Sequence, residues 1–394
     1  MLNGKNRKVD LSAGAHALWQ VTSGQKYLFR LINSAAQNVW WMHFDNHNMT
    51  VIAADNVPIV PYTTNWLAIG NGQRYDVVIT ANQAVGNYFF RAVSQSSCAD
   101  IPLCSNTGLG SANGILQYSG APTTLPTTSP GTSRTNFATC QDEPLASLVP
   151  YVPKSAGSSS AFSASVSTLP VSPVKTVQTS DDGAVYKWFL NGNAMSVNWN
   201  QPTIQSLAQG NNTAISNAIT LPNGNTWVYF VIQNQFPTGH PMHLHGHDFA
   251  LLGQGTGSFS SSQVSSLNFA NPTRRDTAML LGNGYTIIGF ITDNPGAWLM
   301  HCHIAWHVDG GLALQFVEVP SQIPAANWVA SNGFQDQCIE YSAYEAAGGA
   351  KKNDGDSGLK IRQAYDKLDS AMVRRSGHKR KFLDAYKARH GVHF

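Results

Sequence analysis

Gly224-Asn-Thr-Trp-Val-Tyr-Phe-Val-Ile232 is a polar turn followed by six β-branched or aromatic residues, and 200 positions earlier Gly24-Gln-Lys-Tyr-Leu-Phe-Arg-Leu-Ile32 has the same form. Runs of this kind bounded by Gly, Asn and Pro read as strands. Arg74-Tyr-Asp-Val-Val-Ile-Thr80, Asn87-Tyr-Phe-Phe-Arg91 and Tyr285-Thr-Ile-Ile-Gly-Phe-Ile291 belong to the same class. Short strands with turn residues between them predict an all-β sandwich architecture. The likeness extends outward: His47-Asn-Met-Thr-Val-Ile52 matches His247-Asp-Phe-Ala-Leu-Leu252, and Gly70-Asn-Gly72 matches Gly282-Asn-Gly284. With a further two-residue shift, Gly86-Asn-Tyr-Phe-Phe-Arg-Ala92 falls on Gly296-Ala-Trp-Leu-Met-His-Cys302. Two related β-sandwiches are therefore expected, over 1–120 and 173–345. Between them, 121–172 is rich in Pro, Ser and Thr with no apolar period and reads as a long surface linker.

A chain of 394 residues is long enough for two or three domains, and 42% apolar with 12% charged residues excludes the disordered and collagen-like classes. It has no unbroken apolar run long enough to span a membrane. The net charge of +3 is a sum of opposites. Residues 350–394 hold 12 bases and 5 acids, which leaves 13 bases and 17 acids before them. An acidic body with a basic extension over 346–394 argues against nucleic-acid binding by the body. The opening residues Met1 to Asp10 contain no apolar signal core. Asn48-Met-Thr50 and Asn211-Asn-Thr213 are glycosylation sequons. Five cysteines, Cys98, Cys104, Cys140, Cys302 and Cys338, form an odd set, so at least one is not in a disulfide within the chain.

Chemistry concentrates in two segments, His240-Pro-Met-His-Leu-His-Gly-His247 and His301-Cys-His-Ile-Ala-Trp-His307, which hold seven of the 13 histidines. Successive side chains of a strand point to opposite faces, so His301 and His303 project one way and Cys302 the other. The same parity separates His243 and His245 from His240. One side then gathers Cys302, His307 and His240, the His₂Cys set of a blue-copper electron-transfer site. The other gathers His243, His245, His301 and His303. A cysteine interleaved between histidines of the second set joins the two sites through covalent bonds, which favours redox-active copper over zinc. A chance histidine-rich surface tract is the bland alternative, and it does not explain both spacings.

These segments, with Asn271-Pro-Thr-Arg-Arg-Asp-Thr277 and Thr292-Asp-Asn-Pro-Gly-Ala-Trp298, resemble signatures of the multicopper oxidases, and among them the ascomycete-type fungal laccases. The resemblance implies two cupredoxin-like Greek-key sandwiches and a secreted enzyme. Its reaction would be one-electron oxidation of phenols or aromatic amines coupled to reduction of O₂ to water, in the setting of lignin degradation. It implies type 1 copper at His240, Cys302 and His307 with Leu312 at the axial position, type 2 copper at His243, and the type 3 pair at His245, His301 and His303. It also implies a Cys104–Cys140 disulfide, a role for Cys338 as bridge to a further domain, and processing after Leu359 in Asp356-Ser-Gly-Leu359. No membrane association is implied, and a monomer is expected.

Departures from the pattern matter as much. The family's cluster takes eight histidines, four of them in His-x-His pairs of a first domain, and no further His-x-His pair occurs here. The chain thus reads as a full type 1 site with half a cluster. Where the family places a proton-accepting carboxylate, the matching residue is Gln37, an amide that cannot act as a base near neutral pH. Trp306, beside His307, and Trp199 are candidate pocket walls. His43 and His47 fall on His243 and His247 at the 200-residue offset, while Trp40, Asp45 and Ala92 stand where His240, His245 and Cys302 stand in the second copy. The first sandwich is therefore expected to be metal-free. The alternative from another class is an inactive copper-binding fragment; the alternative among enzymes is another multicopper oxidase, such as a pigment-forming or bilirubin-oxidising type, and Leu312 in place of Met weighs against the latter.

Overall fold

The computed structural model describes residues 1–8, 12–94, 111–131, 141–178, 184–199, 201–210 and 216–346. Cys98, Cys104, Cys140, the Asn211 sequon and the extension containing Leu359 lie outside the described residues. The first sandwich runs through β1 (Ala17–Val21), β2 (Lys26–Ile32), β3 (Trp40–Phe44), β4 (Met49–Ala54), β5 (Val57–Thr64), β6 (Leu67–Ile69), β7 (Arg74–Thr80), β8 (Asn87–Ser94) and β9 (Ser111–Tyr118). The second begins with β10 (Ser167–Gln178), β11 (Ala184–Leu190), β12 (Ala218–Leu221), β13 (Trp227–Asn234), β14 (His240–Leu244) and β15 (Phe249–Thr256). It continues through β16 (Thr273–Arg275), β17 (Thr277–Leu280), β18 (Gly284–Ile291), β19 (Gly296–Cys302) and β20 (Ala313–Glu318).

The two sandwiches repeat one wiring. One sheet has the order β1-β9-β8-β3-β6 in the first copy and β12-β20-β19-β14-β17 in the second. The other has β2-β7-β4-β5 against β13-β18-β15-β16, with β11 and β10 added outside β13. Registers agree as well: Phe29 pairs with Val77 as Phe230 pairs with Ile288, and His43 with Arg91 as His243 with His301. Even the irregularity recurs, with a register shift between Val51 and Ala53 and another between Leu251 and Gly253. The first copy has no counterpart of β10 and β11 among the described residues, so β2 is an edge strand and leaves Leu28 and Ile32 exposed.

Strand parity explains the sequence texture. In β7, Tyr75, Val77 and Ile79 are buried and their neighbours are partly exposed, as expected for a sheet with one face on the core. In β13, Phe230 and Ile232 enter the main core of the second sandwich, whereas Tyr229 and Val231 join a separate cluster on the outer face with Phe162. Phe162 sits on α1 (Ser159–Ser165), where Ser158 caps the helix by accepting from the Ala161 amide. Both faces being covered is why the run from Trp227 is apolar without a break.

The stretch expected as a surface linker is thus woven into both sandwiches from Asp142 onward, and β10 begins inside it. Glu143 is buried and accepts from the Ala68 amide at 3.0 Å. Asp142 accepts from the Met279 amide and from Gln254, both at 2.8 Å, and from Gln73. Arg275, fully buried, donates to Asp55 of the first sandwich at 2.9 Å and to Asp142 at 3.2 Å. Its charge is stabilised against the cost of burial by Asp55 and Asp142.

In the first copy an ion pair occupies the place of histidines. Asp45, at the position of His245, is fully buried, and Arg91 grips it through Nε and Nη2, both at 2.8 Å, while Thr128 donates to it at 2.7 Å. His43 stacks on Trp66, and His47 Nε2 lies 2.7 Å from the Tyr118 hydroxyl. Burial lowers both imidazole pKa values below the ordinary 6.5, outweighing the hydrogen bonds to the Asn65 and Asp45 carbonyls.

Replacing Arg275 with Ala leaves buried Asp142 without its cation and Asp55 with Arg74 alone at 3.5 Å, and is expected to cost ~3–5 kcal/mol, measured by urea unfolding. The buried histidines set an acid limb. Below pH 6.5 the unfolded chain takes up protons that folded His43 and His47 refuse, so stability falls as pH drops through this range. A His43→Gln, His47→Gln double variant is expected to lose less stability than the parent between pH 7 and pH 5; equal losses would contradict this assignment.

Candidate metal centre

β14 and β19 lie side by side and antiparallel, with Met242 opposite Cys302 and His243 opposite His301. This register, acting with parity, sorts the ligating side chains onto two faces. On the core face the Nδ1 atoms of His240 and His307 are 3.1 Å apart, and Cys302 Sγ lies 3.7 Å and 3.5 Å from them. All three residues are buried, and the three ligating atoms lie within 4.8 Å of one another. His307 is delivered by α2 (Ala305–Asp309), a single turn that starts three residues after Cys302. Burial, and then the nearness of His307, push the His240 imidazole well below its ordinary pKa, so it is held neutral and able to ligate. Its Nε2 has no hydrogen-bond partner among the described residues.

Leu312 closes this site from behind. Its carbonyl accepts from the Cys302 amide at 3.0 Å and its amide donates to the His307 carbonyl at 2.9 Å. The side chain is fully buried with Cys302 and Leu314 in the core, one residue before β20 begins. Trp188, which the sequence alone does not mark as more than core, lies 4.2 Å from the His307 ring and meets the His240 ring edge-on at 4.9 Å.

On the other face His243, His245 and His301 bring ligating nitrogens within 4.8 Å of one another. His301 Nδ1 faces the Cys302 carbonyl at 2.9 Å and His243 Nδ1 faces the Asp276 carbonyl at 2.8 Å. A carbonyl can only accept, so both Nδ1 atoms carry the proton and both Nε2 atoms carry the lone pair. His301 Nε2 and His245 Nε2 are 3.2 Å apart. His303 borders the group, its ring 5.7 Å from His301 and 5.9 Å from His243. Burial, together with repulsion from the neighbouring imidazoles, lowers His301 to about 4, and burial likewise lowers His245 and His303. Burial disfavours the Asp276 carboxylate, yet hydrogen bonds from Arg74, His243 and Thr277 hold it well below the usual carboxylate range.

Gln37 and Trp306 meet across the two sandwiches: the indole Nε1 donates to the amide Oε1 at 2.9 Å, and the neighbouring Ala305 amide donates to the Ala36 carbonyl at 3.0 Å. Trp306 is half exposed while its neighbour His307 is buried. Trp199 is also exposed and lies beside Tyr341, with ring centres 6.3 Å apart, on α3 (Asn332–Ala346). That helix also carries Cys338, which forms no disulfide with a described residue. Arg74, Asp276 and Gly72, all close to the imidazole face, are functional neighbours that sequence reasoning missed. Asp276 lay inside a quoted motif, but nothing local tells that its carbonyl faces a histidine.

Two models of multicopper oxidase domains match the chain, one over residues 1–121 and one over residues 172–322. The chain belongs to the multicopper oxidase family. Among curated multicopper oxidases, Laccase-3 of Botryotinia fuckeliana is 46% identical over 324 residues, covering 77% of this chain and 67% of the relative. A laccase of Neurospora crassa is 38% identical over 361 residues, covering 87% and 55%. Among solved structures the laccase of Botrytis aclada superimposes with a TM-score of 0.74 at 37% identity, covering 88% of this chain and 61% of that one. The chain therefore spans between about half and two thirds of the length of these relatives. The two all-β sandwiches expected from the repeat have the cupredoxin-like fold that the family resemblance implied.

The donor set suits copper. Two imidazole nitrogens and a buried thiol converging on one point are the trigonal N₂S arrangement that copper takes in electron-transfer sites, and the imidazoles opposite suit it as well. Cys302→Ser is expected to abolish the intense visible absorption of the copper-loaded protein while leaving copper uptake at the imidazole face, both read in one absorption and EPR titration with copper ion.

Proposed function

We propose that these residues form the type 1 site and half of the trinuclear cluster of a laccase-type multicopper oxidase that oxidises phenols or aromatic amines one electron at a time and passes the electrons to O₂. The observation that carries this reading is the buried Cys302–His240–His307 triangle whose cysteine is covalently flanked by His301 and His303 of the second site. His240, Cys302 and His307 would hold type 1 copper, His243 type 2, and His245, His301 and His303 the type 3 pair. Copper bound there would supply the one-electron couple and the centre at which O₂ is reduced to water.

What the chain's own side chains contribute is position and exclusion of water. His240 and Cys302 are fully buried, and Trp188 and Leu312 pack round the triangle, so the site is held dry. A dry site without a thioether donor, Leu312 standing where Met would donate, favours the reduced state and a high potential. Burial of His245, His301 and His303 favours the neutral form in which an imidazole ligates. Donor molecules reach the Trp306 side, where Gln37 can accept a hydrogen bond from a hydroxyl but cannot take its proton.

An extracellular setting with glycosylation at exposed Asn48 and a role in lignin or phenol turnover accord with the family. No described helix is long and apolar enough to cross a membrane. A second reading, a copper-binding protein without oxidase turnover, is favoured by one fact: four imidazoles make half of a cluster, and a complete one needs groups from outside these 394 residues. Copper stoichiometry and oxygen uptake of the purified chain separate the two, since full turnover with O₂ from these residues alone would overturn the half-cluster account.

In a complete oxidase containing this chain, Gln37→Glu is expected to raise kcat/KM for phenols several-fold at pH values where Glu is ionised, with no change for ferrocyanide, which has no proton to lose. Equal phenol rates and pH profiles in variant and parent would remove Gln37 from the account.

A further inference from the structure

Among the described residues, the turn between β6 and β7 of the first sandwich packs against the imidazole face. We infer that this turn, Gly70-Asn-Gly-Gln-Arg74, is a positioning device for the imidazole cluster, with Arg74 fixing the direction of His243 by way of Asp276. The inference deepens the copper reading and rests on it.

Arg74 holds Asp276 with both prongs of its guanidinium, Nη1 to Oδ1 at 2.5 Å and Nη2 to Oδ2 at 2.6 Å, and Nη1 also donates to the Gly72 carbonyl at 3.0 Å. Such a two-pronged, charge-assisted grip fixes orientation as well as distance. From the same residue the Asp276 carbonyl takes the Nδ1 proton of His243 at 2.8 Å. Thr277 Oγ1 donates to Asp276 Oδ1 at 2.8 Å and sits 3.0 Å from His243 Nδ1. With Nδ1 committed on that side, His243 Nε2 is left as the ligating atom. Arg74 therefore acts through Asp276, as a positioning residue.

The same turn sets a wall for His303. Gly72 has φ +80°, and a Cβ built on it would lie 2.3 Å from His303 Cδ2, so peptide backbone packs directly against the imidazole. Gly70 is as close to Met279, where a Cβ would meet Sδ at 2.7 Å, and Gln73 donates to the Thr277 carbonyl at 3.1 Å. One five-residue turn thus grips the strand β17 and two of the four imidazoles.

The sandwich fold itself does not require this arrangement. In the second copy the corresponding turn is Gly282-Asn-Gly284, and Gly282 packs against the Pro237 carbonyl of its own sandwich. Pairing with the neighbouring strand sets Ala54 opposite Tyr75 as Gln254 is opposite Thr286, so the residue at the place of Arg74 is Tyr285, whose hydroxyl accepts from Gln263 and holds no carboxylate among the described residues. Of the two copies, the first alone has an arginine at this place. Partners that orient a ligating histidine are worth about 10–100-fold in metal affinity.

The test uses the full chain titrated with copper ion against a competing chelator. The readouts are affinity at the imidazole face, the EPR hyperfine pattern of the copper bound there, the visible absorption of the Cys302 site, and the urea unfolding midpoint. Arg74→Met is expected to weaken the imidazole face by about 10–100-fold and alter its hyperfine pattern, with the visible absorption retained. Arg74→Lys, which keeps the charge without the two-pronged grip, should fall between parent and Arg74→Met, and it decides the matter if Arg74→Met does not fold. Unchanged affinity and hyperfine pattern with a lowered unfolding midpoint would make Arg74 a tether between sandwiches and overturn the inference. A parent chain that takes no copper at the imidazole face would instead overturn the copper reading beneath it.

Discussion

Everything in this molecule turns on a guanidinium that never meets water. Arg275 joins Asp55 of the first sandwich to Asp142 of the connecting segment, with the Tyr75 hydroxyl 3.3 Å away, so three separate stretches of chain meet on one buried charge. Its sequence neighbour, Asp276, points the other way and holds Arg74 and His243. Strand parity between these two residues divides the labour: one fastens the sandwiches together, and the next converts that fastening into the placement of an imidazole. A buried ion pair of this kind adds little net stability over an apolar contact of the same shape, and its retention is better understood as fixing one relative arrangement of the parts.

How much of this could be read beforehand depended on the distance over which each residue acts. The strands, the duplication and the two-faced histidine segments were legible because period-two alternation and a one-residue interleave are local facts. Their register followed, since slipping one residue would exchange the two ligand faces. The buried role of the 121–172 segment was illegible: Asp142 and Glu143 look like solvated acids until partners 69 to 137 residues away are supplied. Trp188 and Trp199 show the same limit, one lying against two ligating rings and the other exposed on the surface, with nothing in their flanking residues to distinguish them. Gln37 and Trp306 were each singled out, but their hydrogen bond needs the packing of two domains to exist.

The two copies also show what a shared backbone does and does not determine. Asp45 and Arg91 stand at the positions of His245 and His301 and close into an ion pair, so the same geometry that gathers imidazoles in one sandwich neutralises charges in the other. The pattern extends to supporting residues. His247 pairs with Glu318 at 2.7 Å and His47 with Tyr118 at 2.7 Å, and these partners are themselves 200 residues apart. A carboxylate in one copy and a phenol in the other serve the same buried imidazole.

The uncovered flank of β2 has a consequence for the protein as a colloid. Where β13 is shielded by β10, β2 has no strand on that side among the described residues, and Leu28 and Ile32 along it are exposed. An open, apolar strand edge is a template on which another molecule's strand can grow. The seven residues Lys26–Ile32, along one rim of the first sandwich, are where such growth would begin among the described residues. Lys26 and Arg30, spaced along that rim, are the charges that oppose such growth.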